Sequence, residues 1–141
     1  MHARSLGVAA IVFAVGCGKD EPAGPDAAAQ IDAPPVPRQI VTESRPLGVG
    51  ELVEATLVGG PADRAVISLS APVLLDWNLH GHAGGSTQTV KEERGVMTVE
   101  YEFTPPSQAA WSLLLRNAGA APTTVQVEIE LYGELRWESW R

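Results

Sequence analysis

The sequence predicts an all-β fold, an antiparallel β-sandwich of about seven to eight strands, and three observations carry that expectation. Short apolar runs recur at intervals of roughly ten residues, each bounded by Gly, Pro or Asn turn chemistry. Two of the runs alternate cleanly: Met97, Val99, Tyr101 and Phe103 against Thr98, Glu100 and Glu102, and Val125, Val127, Ile129 and Leu131 against Gln126, Glu128 and Glu130. Strand side chains point to opposite faces in turn, so this pattern describes antiparallel strands with one buried and one wet face. Beyond the apolar N-terminal run, no stretch carries a helical stripe of useful length.

In chain order, the expected strands cover residues 39–43, 51–58, 64–70, 73–80, 87–91, 96–103, 110–117 and 123–132. The punctuation between them is Pro46 to Gly50, Gly59-Gly60-Pro61, Ala71-Pro72, Gly84-Gly85, Arg94-Gly95, Pro105-Pro106 and Asn117 to Pro122. Leu113-Leu114-Leu115 is apolar on both faces, which suits a central strand. Lys91-Glu92-Glu93-Arg94 reads as a solvated turn. After Gly133, Leu135 and Trp137 can continue a strand face, and two tryptophans among the last five residues, Trp137 and Trp140, imply docking on this domain or on a partner.

The N-terminal third is organised differently. Arg4 and His2 precede an uncharged apolar run from Leu6 to Val15, too short for a bilayer, which takes about 20 residues. The run ends Ala14-Val15-Gly16-Cys17, and Cys17 is the only cysteine of the chain. This ending resembles the lipobox of bacterial lipoproteins, in which a small residue precedes a cysteine that is lipidated and becomes the mature N-terminus. It departs from that pattern at Ala14, where leucine is commonest. The resemblance implies a signal peptide at 1–16, a lipid anchor at Cys17 and a membrane-tethered envelope protein. Gly18 follows in place of the aspartate that favours inner-membrane retention in enteric bacteria, so the outer membrane is the expected location. Residues 17–38 hold Pro22, Pro25, Pro34, Pro35 and Pro37 with almost no large apolar side chains; ordering them would bury too little surface to offset the lost entropy. They read as a disordered Pro/Ala-rich linker, leaving 39–141 as the β-sandwich domain.

Composition excludes several functions. The formal charge is −7, from 10 basic and 17 acidic residues. A nucleic-acid partner needs a basic stripe and is not expected, nor is electrostatic attraction to anionic lipid. A lone cysteine forms no intrachain disulfide and no multi-cysteine metal centre.

The stretch Leu75-Asp76-Trp77-Asn78-Leu79-His80-Gly81-His82 concentrates the remaining chemistry. Read with a period of two, Leu75, Trp77 and Leu79 enter the core, while Asp76, Asn78, His80 and His82 share a polar face. Trp77 is expected as a core anchor, with a ligand-stacking platform as the alternative. His80 and His82 lie two residues apart on one face, about 6.5–7 Å between Cα atoms, and could share a Zn or Cu ion. Asp76, Asn78, Glu92 or Glu93 could add a ligand. Two imidazoles alone make a weak site, so a solvated strand end is the expectation and a metal site the alternative. No catalytic residues are assigned: no Gly-x-Ser-x-Gly occurs around any serine, no phosphate-cradling glycine loop is present, and Glu92 and Glu93, as neighbours, point to opposite faces.

From about residue 51 to 132 the chain loosely resembles the GOLD-type β-sandwich. The carrying stretches are the one just described, Tyr101-Glu102-Phe103-Thr104-Pro105-Pro106, Trp111-Ser112-Leu113-Leu114-Leu115-Arg116-Asn117 and Val125-Gln126-Val127-Glu128-Ile129. The resemblance implies a domain that binds protein or membrane-associated partners and is not an enzyme. The overall expectation is a lipid-anchored bacterial envelope protein whose sandwich is a non-catalytic binding or structural module without a cofactor, working with an envelope protein partner. The alternatives are a periplasmic metal-binding protein using His80 and His82, and a carbohydrate-binding module using exposed aromatics.

Overall fold

A computed structural model of the chain describes residues 34–83 and 86–141. The signal segment, Cys17 and most of the linker lie outside the described residues, as does the Gly84-Gly85 turn. The described part is all-β and antiparallel: β1 (Gln39–Leu47), β2 (Leu52–Gly59), β3 (Arg64–Ala83), β4 (Ser86–Phe103), β5 (Ala109–Asn117), β6 (Thr123–Tyr132) and β7 (Arg136–Glu138). Hydrogen bonding runs β1-β6-β3-β5-β2-β7, with β4 paired to β3. The sheet folds over on itself to enclose one core.

Two pairs of expected strands are each a single strand. Residues 64–70 and 73–80 merge into β3, because Ala71-Pro72 bends the chain without reversing it. β3 pairs with β6 through Arg64–Ser70 and with β5 through Leu75–Gly81, so the unpaired Ala71–Leu74 stretch is where it leaves one neighbour and takes up the other. Proline donates no ladder hydrogen bond, and Pro72 sits where none is needed.

Residues 87–91 and 96–103 likewise merge into β4, and Lys91-Glu92-Glu93-Arg94 is strand and not a turn. The pairs Trp77↔Glu93 and Leu75↔Val96 set three steps of β4 against two of β3, which is a β-bulge. Gly95 has φ 64°, the left-handed conformation glycine supplies at such a bulge. The Asp76 carboxylate accepts the Gly95 N–H at 3.0 Å and holds the bulge in place.

Each half of the sheet sends its alternate residues inward. In one half, the register stacks Trp77, Leu115 and Val53 in a row, then Leu79, Leu113 and Ala55, then Gly81, Trp111 and Leu57. In the other, Tyr101, Ile67, Ile129 and Val41 form a row beside Val99, Leu69 and Val127. Two tilted aromatic pairs join the halves, Trp77 on Tyr101 and Phe103 on Trp111, both with ring centroids 5.6 Å apart. Gly81 is required by its neighbour: a Cβ there would lie 2.7 Å from the Trp111 ring. Met97, expected on the inward face, is exposed at the rim of β4.

The C-terminal segment docks on its own domain. β7 pairs with β2, Trp137 and Trp140 pack against the core, and the Trp140 indole donates to Glu43 at 2.6 Å. Burial of this core outweighs the ion pairs, which lie on exposed surface where each contributes about 0–1 kcal/mol.

Trp77 is 1% exposed. Trp77→Ala is expected to cost about 3–5 kcal/mol of unfolding free energy. Gly95→Ala, strained only in the backbone, is expected to cost about 1–2 kcal/mol. Urea titration of the two variants checks both the magnitude and the order.

Candidate functional site

The outer face of the half-sheet formed by β3, β5 and β2 is polar, but not uniformly wet. One row across it reads Thr89, His80, Ser112, Thr56 and Glu138. Of these, His80, Ser112 and Thr56 are all buried, although they point away from the core. The next row places Asn78, Leu114 and Glu54 in register. Long side chains from these rows and from the C-terminus cover the short ones. The Arg141 guanidinium donates to Thr56 Oγ1 at 2.6 Å, and the backbones of Arg141 and Glu54 exchange hydrogen bonds.

His80, His82 and Glu54 come together here. Each offers one ligand atom, a ring nitrogen or a carboxylate oxygen, and the three atoms lie within 4.8 Å of one another. The two imidazoles meet edge to face, centroids 4.9 Å apart. Ser112 Oγ donates to Glu54 Oε1 at 2.5 Å, bending the carboxylate over β5 toward β3. Asn78 Oδ1 lies 2.7 Å from His80 Nδ1. A carbonyl oxygen only accepts, so Nδ1 carries the proton and the lone pair is left on Nε2. Burial pulls the His80 pKa below its ordinary value; the Glu54 carboxylate opposes that shift and His82 adds to it. The ring is therefore held toward its neutral form, the form that coordinates metals.

The expected neighbours of the histidines divide differently. His80 and His82 share a face, as the period-two reading requires, and Asn78 joins them. Asp76 is on the same face but is engaged by the Gly95 N–H and by Arg116 at 3.4 Å. Glu92 and Glu93 are engaged by other side chains. Glu92 pairs with Arg94 at 2.6 Å, while Glu93 takes the Trp77 indole N–H at 3.0 Å and Lys91 at 2.9 Å. Those bonds, first to Lys91 and then to Trp77, hold the Glu93 carboxyl below the usual range. The third group is Glu54. Its alternation with Val53 and Ala55 marks it as outward-facing, but nothing in its spacing links β2 to the histidines; the β3-β5-β2 order does.

No family model matches the chain, and no curated protein does. Among solved structures it is similar to the crystal structure of the Yersinia pseudotuberculosis-derived mitogen, with 14% identity, a TM-score of 0.52, and coverage of 70% of this chain and 90% of that one. At that identity the likeness is one of fold, an all-β domain of comparable extent, and the mitogen's activity does not come with it.

The depressed pKa of His80 gives a signed expectation. The unfolded chain takes up a proton near pH 6.5 and the folded chain only at lower pH. The metal-free protein should therefore keep this contribution above about pH 6.5 and lose it as the pH falls toward the folded value. His80→Gln should show a smaller drop in melting temperature between about pH 7.5 and 5 than the parent, measured in chelator-containing buffer. Equal drops would assign the acid sensitivity to other groups.

Proposed function

We propose that this chain is a lipid-anchored bacterial envelope protein whose β-domain is a non-catalytic binding module, held off the membrane by the Pro/Ala-rich linker. The observation that carries the reading is the position of Cys17. The one cysteine closes a short apolar run, and a composition that cannot build a core separates it from the first strand at Gln39. A tether of that kind serves a domain that must reach a partner near the membrane. The absence of aspartate after Cys17 favours the outer membrane, and the loose GOLD-type resemblance favours a protein partner in the envelope.

The arrangement of the aromatics favours a protein-binding role over a carbohydrate-binding one. Sugar stacking needs an open ring face. Trp77 and Trp111 are in the core, and Trp137 and Trp140 meet edge to face at 5.3 Å and pack on the domain. Tyr132 is covered by the Arg64 guanidinium at 3.9 Å. The polar outer face around Asn78, His80, His82 and Glu54 is the better candidate for contact with another molecule.

Stable anchoring needs two or more acyl chains, which a lipidated N-terminal cysteine supplies and an unmodified one does not. Cys17→Ser is expected to move the protein from the membrane fraction to the soluble fraction on cell fractionation. Retention of the variant in the membrane fraction would refute the lipid anchor.

A further inference from the structure

We infer that Glu54, His80 and His82 form a site for a divalent cation of the zinc type, with the fourth position taken by water. This goes beyond the binding-module reading and does not depend on the lipid anchor.

Four features support the assignment. The first is donor chemistry: two imidazoles and one carboxylate are ligand types zinc takes, and three protein ligands leave one coordination position open. The second is geometry. Two ligands on one zinc at about 2.0–2.1 Å each lie at most about 4.2 Å apart. The present atoms lie within 4.8 Å, so closure asks for less than an ångström or so of rotation, available to the exposed His82 side chain.

The third feature is the support around the ligands. Metal-bound histidine commonly donates its second ring nitrogen to an oxygen that fixes tautomer and orientation. Asn78 Oδ1 occupies that place at His80, and Ser112 Oγ holds one oxygen of Glu54. These bonds exist before any ion enters, and they hold the two anchored ligands toward each other.

The fourth is electrostatic. Glu54 brings a negative charge beside two bases that lose their lone pairs when protonated, and the chain as a whole is acidic. The nearby Arg141 directs its guanidinium to Thr56 and toward Glu138 at 3.9 Å. Cation binding would neutralise the carboxylate without displacing that contact.

The test is calorimetric titration of zinc ion alone into the full chain after chelator dialysis. One equivalent per chain is expected, with micromolar or tighter affinity. His80→Gln, His82→Gln and Glu54→Gln should each weaken it by tenfold or more, and Asn78→Ala by about 10–100-fold as an orienting residue. Asn78→Asp should restore much of the affinity, since a carboxylate also accepts from Nδ1. His2→Ala should leave binding unchanged. Circular dichroism of each variant separates lost ligation from lost folding, because all four positions lie outside the apolar core. Cobalt substitution gives a second readout: strong visible absorption signals four-coordination, and it should disappear in Glu54→Gln. Binding in the millimolar range or absent, or tight binding indifferent to Glu54→Gln, would overturn the site.

Discussion

The handover of β3 from β6 to β5 is the constraint on which the rest of the structure depends. A single 20-residue strand contributes to both halves of the sheet, and the bend at Ala71–Leu74 turns one half over the other. β4 pairs with it on both sides of the bend, skipping Ala71–Leu74, and resumes its register just beyond through a bulge at Gly95. The inward residues of the two halves then meet, and the pairs Trp77–Tyr101 and Phe103–Trp111 fill the space between them. Close packing tolerates little error in such a contact, which is why Gly81 must yield its volume to Trp111.

Polar pins hold the ends of this arrangement. Asn117 is completely buried and donates to the Leu47 and Ala121 carbonyls, while its side-chain oxygen accepts from the Gly119 N–H. It thereby ties the β1 terminus to the β5–β6 turn. At the opposite end, buried Asp63 accepts from the backbone N–H groups of Gly60 and Glu134, joining the β2–β3 turn to the β6–β7 turn. A buried polar side chain with every bond made specifies its surroundings closely, because any rearrangement leaves it unpaired at a cost of about 1–3 kcal/mol. These pins fix the turns, and the turns fix which strands lie side by side.

The same strand order creates the polar outer site. β5 sets Ser112 between His80 on β3 and Thr56 on β2, and the Ser112 hydroxyl draws Glu54 across. His80 is buried on the outside of the sheet, sheltered enough to favour neutral imidazole, and the exposed His82 lies beside it. The mitogen likeness concerns the path of the strands, whereas this cluster is a property of particular side chains on them.

The fold class, most of the inward set of the strands and the polar face shared by Asn78, His80 and His82 are determined by the sequence, because side-chain alternation is a local property of extended backbone; Met97 at the rim of β4 is the exception. The same locality explains why Trp77 and Leu75 could be assigned to the core. The continuity of β3 through Pro72 and of β4 through Gly95 was not legible. Turn-forming residues mark a departure from regular extension, and only the neighbouring strands decide whether that departure reverses the chain or merely bends it. Glu54 was not legible as a companion of the histidines for a related reason. Its outward orientation is local, but its neighbours are set by hydrogen bonding between β2, β5 and β3, and that pairing belongs to the tertiary structure alone.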